Sequence, residues 1–127
     1  MNFRNATIAV CLTIFAVNVA HAAPPTIDTS QFRDCAHHWR KIRDKNRIIQ
    51  PIPDQPSYRE DQIAEIAENI LLFQRDNGGW PKDYDMRAVL TDEQRQQVAA
   101  TRDREDTSLD NHNTFAQVEY LARAYKL

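Results

Sequence analysis

Glycine is almost missing from this chain. The 127 residues contain two, Gly78 and Gly79, side by side. Loops that cradle phosphates need glycines at spaced positions, so the nucleotide-binding folds built on them are excluded. Cysteine is as scarce: Cys11 and Cys35 only. Cys11 lies in an N-terminal apolar run expected to be removed, and Cys35 alone cannot close an internal disulfide. It is either a buried thiol or a residue whose partner lies elsewhere. A zinc-type ligand set is absent. His37 and His38 are adjacent, so on a helix they point about 100° apart and cannot share a metal through an i, i+4 arrangement. Charge of one sign is not in excess, with 16 Lys and Arg against 18 Asp and Glu. That balance gives no support for a nucleic-acid partner or a basic membrane patch. No strand of useful length, internal repeat or low-complexity tract is visible.

What is present begins with a leader. Met1 to Ala6 carries one cation, Arg4. Thr7 to Ala20 is apolar, and Ala20-His21-Ala22 puts small residues where a signal peptidase reads. Residues 1–22 therefore read as a signal peptide, and the protein as secreted or periplasmic. The apolar run is short of the roughly 20 residues a spanning helix needs, and no basic stop-transfer cluster follows it. Residues 23–56 form an N-terminal helix and a Pro-rich connector. Residues 57–127 form the body of the domain.

The periodicity predicts an all-α protein with helices near 31–43, 59–76, 92–104 and 114–127. Ser30 stands ready to cap the first, whose apolar face is Phe32, Cys35, Ala36 and Trp39. Ser57 precedes the second, with Ile63, Ile66, Ala67, Ile70, Leu71 and Gln74 on one face. Thr91-Asp92-Glu93-Gln94 is a capping-box start for the polar third helix. Asn113 or Thr114 caps the last, with Phe115, Val118, Leu121, Ala122 and Tyr125 expected inward. That helix reaches Leu127 without a stop signal, so the chain reads as truncated.

Between the second and third helices lies Gln74-Arg75-Asp76-Asn77-Gly78-Gly79-Trp80-Pro81-Lys82. Gly78 allows a positive φ past a helix end, and Pro81 forbids helix and biases Trp80 to an extended conformation. Two roles are open for Trp80: a plug in the core, or an aromatic plate on a binding surface. The stretch from Trp80 to Leu90 reads as irregular. A second polar loop, Glu105 to Asn113, opens the last helix. Together the two loops offer Asp83, Asp85, Asp106, Asp110 and Asn111 as oxygen ligands. Such a set suits calcium, which takes six to eight oxygens. Each carboxylate taken singly is equally a cap or turn residue.

The segment from Asn69 through Gly78-Gly79-Trp80-Pro81-Lys82, followed by Thr107-Ser108-Leu109-Asp110-Asn111 and Thr114-Phe115-Ala116-Gln117-Val118-Glu119-Tyr120-Leu121-Ala122, resembles the N-terminal part of the catalytic domain of pectate lyases of polysaccharide lyase family 10. The resemblance covers about residues 58–125. It departs from the family after Asn111: His112-Asn113-Thr114 stands where a small residue and Ala-Thr are common.

The resemblance implies an α/α toroid built of helical hairpins, incomplete here, with long polar loops. It implies calcium-assisted β-elimination on polygalacturonate by a monomeric enzyme. Asp110 is the residue it assigns to the metal, and Trp80, Lys82 and Asn111 those it assigns to substrate. The base it implies is an arginine downstream of Leu127, so the 127-residue chain alone is expected to be inactive. Two other readings stand beside it. One is a non-catalytic helical periplasmic carbohydrate-binding module. The other is a structural clamp of the triterpene cyclase type, from the Gln-x-x-x-Gly-x-Trp spacing of Gln74, Gly78 and Trp80.

Overall fold

A computed structural model describes residues 22–42 and 47–127. The expected signal peptide falls almost wholly outside them. The described residues form four α-helices: α1 (Arg33–Arg40), α2 (Ile63–Phe73), α3 (Asp92–Ala99) and α4 (Phe115–Ala124). Short 3-10 turns, Ser30–Phe32 and Asp110–His112, lead into α1 and precede α4. The protein is all-α: among the described residues the only β-type pairings are two isolated antiparallel bridges, Ser57 with Ala88 and Pro81 with Thr107.

α2 carries the core. Its Ile66, Ile70 and Phe73 are buried against Trp80, Tyr84, Met86, Val98 and Tyr120. Phe73 and Tyr84 stack with ring centroids 4.0 Å apart, and Phe32 meets Tyr120 edge-on at 5.9 Å. Ile27, Phe32, Trp39 and Ile49 join the same cluster. The N-terminal helix and connector therefore share one core with the rest of the chain. Both indoles are buried with their N–H groups satisfied: Trp39 donates to Ile49 O at 3.0 Å and Trp80 to Ile70 O at 2.7 Å.

With so little sheet, the carbonyls of the long connections need other donors. Buried side-chain amides supply them. Asn69, on α2, donates to Met86 O and Ala88 O and so holds the irregular 84–90 stretch. Gln94 donates to Gln50 O, and Gln55 to Val89 O. The expected capping box at Thr91 and Gln94 is formed in both directions.

Several helix limits differ from the sequence expectation. α2 starts at Ile63, because Arg59 to Gln62 form a turn and Ser57 is taken by its bridge and by Arg40. α2 stops at Phe73, where Gln74 swings to ψ 135°. Gly78 (φ 87°) therefore serves a separate turn closed by its N–H on Arg75 O, not the helix C-terminus. α3 ends at Ala99, and the Thr101 hydroxyl bonds back to Val98 O. Ser30 caps nothing, and its N–H and hydroxyl are both held by Asp28. The inward face of α4 is corrected too. Phe115 (63 %), Val118 (54 %) and Tyr125 (93 %) are exposed, whereas Ala116, Gln117 and Tyr120 are buried. The real face is centred about 150° round the helix from the expected one. Gln117 selects it by bonding to Tyr84 and Asn113, a polar anchor that a count of apolar residues misses. On α2, Leu71 likewise points outward, 48 % exposed.

Candidate functional site

The site is built where two loop segments, 74–82 and 106–114, lie side by side. Arg75 opens the first. Its side chain is fully buried, grips both oxygens of Asp106 at 2.6 and 3.0 Å, and donates to Thr101 Oγ1 at 2.7 Å. Asn77 Oδ1 accepts the N–H of Gly79, and Gln74 Nε2 donates to Gly78 O. Gly79 touches the other segment so closely that a Cβ there would sit 2.9 Å from Thr107 Cβ and Cγ2. Pro81 and Thr107 then pair as an antiparallel bridge, with Ser108 N–H on Trp80 O at 3.0 Å.

Beyond the bridge the two segments present opposite charges. Lys82 Nζ lies 2.5 Å from Asp110 Oδ2. Both side chains reach solvent, 36 % and 63 % exposed. The Asp110 carboxylate raises the Lys82 pKa above the ordinary lysine value. Asp110 begins the 3-10 turn, with its N–H on Ser108 Oγ. Asn111 sits in the same turn, and its side chain lies outside the described atoms. A groove of about 590 Å³ runs along both segments, lined by Asn77, Gly78, Gly79, Thr107, Leu109 and Thr114 among others.

The end of the second segment is strained and pinned. His112 (φ 61°) and Thr114 (φ 69°) are non-glycine residues in the left-handed region, costly above all for β-branched threonine. Between them Asn113 is buried, 1 % exposed. Its Nδ2 donates to Trp80 O at 2.8 Å and to Ser108 O at 2.9 Å, and its Oδ1 accepts from Gln117 at 2.7 Å. The Thr114 hydroxyl does not cap α4; it donates to Ser108 O.

Of the residues singled out from the sequence, Lys82 and Asp110 are brought together. Trp80 is not on a binding surface. It is 2 % exposed under α2, so the plug role is the one realised, and Gln74 bonds locally to Gly78 O. The four aspartates of the proposed oxygen set are not gathered into one group. Asp106 faces Arg75, Asp85 is taken by Arg40 at 2.6 Å and by the N–H of Arg87, and Asp83 lies 3.8 Å from His38. Each carboxylate is matched by a cation or a donor in a different place. Among the described residues no group of three or more His, Cys, Asp or Glu could hold a metal ion.

Arg123 is remote from this corner. It pairs with Glu119 at 2.6 Å and sits eight residues past Phe115, about 12 Å along α4. Cys35 is a buried free thiol whose pKa burial pushes up, which makes it a poor nucleophile. A second hollow, about 440 Å³, lies between α1 and the 85–87 turn. Its lining includes Arg33, His37, Arg40, Glu60, Asp85 and Arg87, and Arg40 is already spent on Asp85. The residues that sequence reasoning missed are Arg75 and Asn113. Their signal was present only as unusual polar density next to short apolar elements.

No curated protein and no solved structure matches the chain. A family model does: residues 74–127 match the one described as pectic acid lyase. The matched stretch starts at Gln74 and contains both segments and both members of the Lys82–Asp110 pair. Over that stretch the chain is similar to the pectic acid lyases.

Proposed function

We propose that the protein is a secreted or periplasmic pectate lyase of the polysaccharide lyase family 10 type, acting as a monomer on polygalacturonate. In this reading its helices form part of an α/α toroid. The observation that carries the proposal is the Lys82–Asp110 pair, 2.5 Å apart, at the meeting of the two segments inside the matched stretch.

The chemistry follows from the substrate. In β-elimination a base removes the C5 proton of a galacturonate. The electron pair forms the C4–C5 double bond, and the C4–O bond breaks with its electrons on the leaving oxygen, which then takes a proton. Before the leaving group departs, charge builds on the C6 carboxylate beside C5. A cation held against that carboxylate stabilises the charge more than it stabilises the ground state. Lys82 is such a cation, and Asp110 is the carboxylate that it faces. Lys82 is therefore an electrostatic stabiliser and not the base. The base is an arginine in the resemblance, and Arg123 does not fill that role. Calcium enters the reading as a requirement to be measured. Asp110 is its one assigned ligand, the described residues gather no ligand set around it, and no step is assigned to the ion.

The test is elimination by the full-length protein on polygalacturonate, followed by the ultraviolet absorbance of unsaturated uronides, with calcium and with a chelator. Activity that falls in Lys82→Met and Asp110→Ala supports the reading. An absence of unsaturated product under all conditions, with oligogalacturonate still perturbing Lys82, would favour the carbohydrate-binding module instead.

A further inference from the structure

We infer that Asn113 is a positioning residue: its buried carboxamide ties Trp80 O to Ser108 O and thereby sets the spacing at which Lys82 meets Asp110. The geometry is specific. Trp80 lies two residues before Lys82, and Ser108 two residues before Asp110. The two hydrogens of one amide nitrogen are divided between these carbonyls, at 2.8 and 2.9 Å. The amide oxygen accepts from Gln117 Nε2 at 2.7 Å, and that nitrogen also reaches the hydroxyl of Tyr84 at 3.1 Å. Asn113 is thus aimed by two core residues, Gln117 and Tyr84, 0 % and 1 % exposed. Every hydrogen-bonding capacity of its amide nitrogen is used.

The backbone shows that this placement is held against resistance. Asn113 has ordinary φ of −57°, but both neighbours are forced to positive φ, 61° at His112 and 69° at Thr114. Non-glycine residues stay there only when the surroundings over-determine them. The clamp and the bridge Pro81–Thr107 act on the same two segments, whereas the Lys82–Asp110 pair itself lies in solvent, where an ion pair alone fixes little. The order of cause is therefore from amide to ion pair. The clamp departs from the family pattern that the chain resembles, in which alanine is common at this position. Its importance for turnover rests on the function proposed above; its effect on the pair does not.

The test is the nuclear magnetic resonance signal of the Lys82 ammonium at neutral pH in the intact chain, which reads the pair and not lyase activity. In the wild type the signal is expected to carry the chemical shift of a carboxylate-bonded ammonium. Asn113→Ala is expected to move it towards the shift of a free lysine, as Asp110→Asn does. The control is Asn69→Ala, which removes another buried amide bonded to two loop carbonyls, Met86 O and Ala88 O, neither of which lies in the two segments. It should lower the melting temperature comparably and leave Lys82 unmoved. A folded Asn113→Ala chain with an unshifted Lys82 overturns the inference. Two further measurements need no Asn113 variant. The Asn113 side-chain amide protons should exchange slowly in the wild type, and should stay protected in Asp110→Asn. Fast exchange in the wild type, or loss of protection on removing Asp110, would equally overturn it.

Discussion

Two ion pairs join the same two segments of this chain, and burial makes them different objects. Arg75–Asp106 ties the start of one segment to the start of the other; Lys82–Asp110 ties their far ends. The Arg75 side chain is wholly buried, forked onto its carboxylate, and reinforced by Thr101. Lys82 is a third exposed and makes one short contact to a carboxylate that is mostly in water. A charge taken out of water must keep its partner or the fold pays, while a charge at the surface is free to exchange partners. The inner pair is therefore structure. The outer pair is the one that the proposed chemistry would use.

The largest effect expected from breaking the comparison is at Asp106. Asp106→Ala leaves the buried Arg75 guanidinium unpaired, which should cost about 3–5 kcal/mol in urea unfolding. Arg75→Met should cost less, because Asp106 is 40 % exposed and can hydrate. Asp110→Ala should behave oppositely: elimination by the full-length protein falls about 10²- to 10³-fold, while stability changes by less than about 1 kcal/mol. Next comes the contact between the segments. Gly79→Ala drives a methyl group into Thr107 and should cost about 1–3 kcal/mol; the double variant with Thr107→Ser, which removes the Cγ2 methyl, should recover part of that loss.

The smallest effect is electrostatic. Lys82 has its pKa raised by Asp110, and burial raises those of Tyr84 and Tyr120, the latter to about 12. A raised folded pKa gives stability that is complete below the unfolded value and lost as pH climbs through the folded one. Thermal midpoints should thus fall as pH passes from about 10 to 12. The buried tyrosines dominate that fall. Asp110→Asn removes only the Lys82 share, so the alkaline curve of that variant should shift by less than about 1 kcal/mol.

Helix existence and the helical class were readable from periodicity, because α2 must bury Ile66, Ile70 and Phe73 whatever surrounds it. The Thr91 capping box was readable for the same reason, since its partners are three residues apart. The helix ends and the α4 face were not. They are decided by contacts made across 26 to 33 residues of sequence: Arg75 with Thr101 and Asp106, and Asn113 and Gln117 with Trp80 and Tyr84. The meeting of Lys82 and Asp110 was visible only as two polar loops in one chain. That Trp80 faces inward was left open by the sequence, since glycine and proline fix a turn but not the side to which an indole swings.

The most direct test sets the two aspartates against each other in one experiment. Thermal midpoint and polygalacturonate elimination are measured on Asp106→Asn and Asp110→Asn in the full-length protein, at a temperature where both are folded. The account predicts a depressed midpoint with retained specific activity of the folded fraction for Asp106→Asn, and a near-normal midpoint with elimination reduced at least about 100-fold for Asp110→Asn. A lowered midpoint with near-normal activity in Asp110→Asn would contradict it, and would make the outer pair as structural as the inner one.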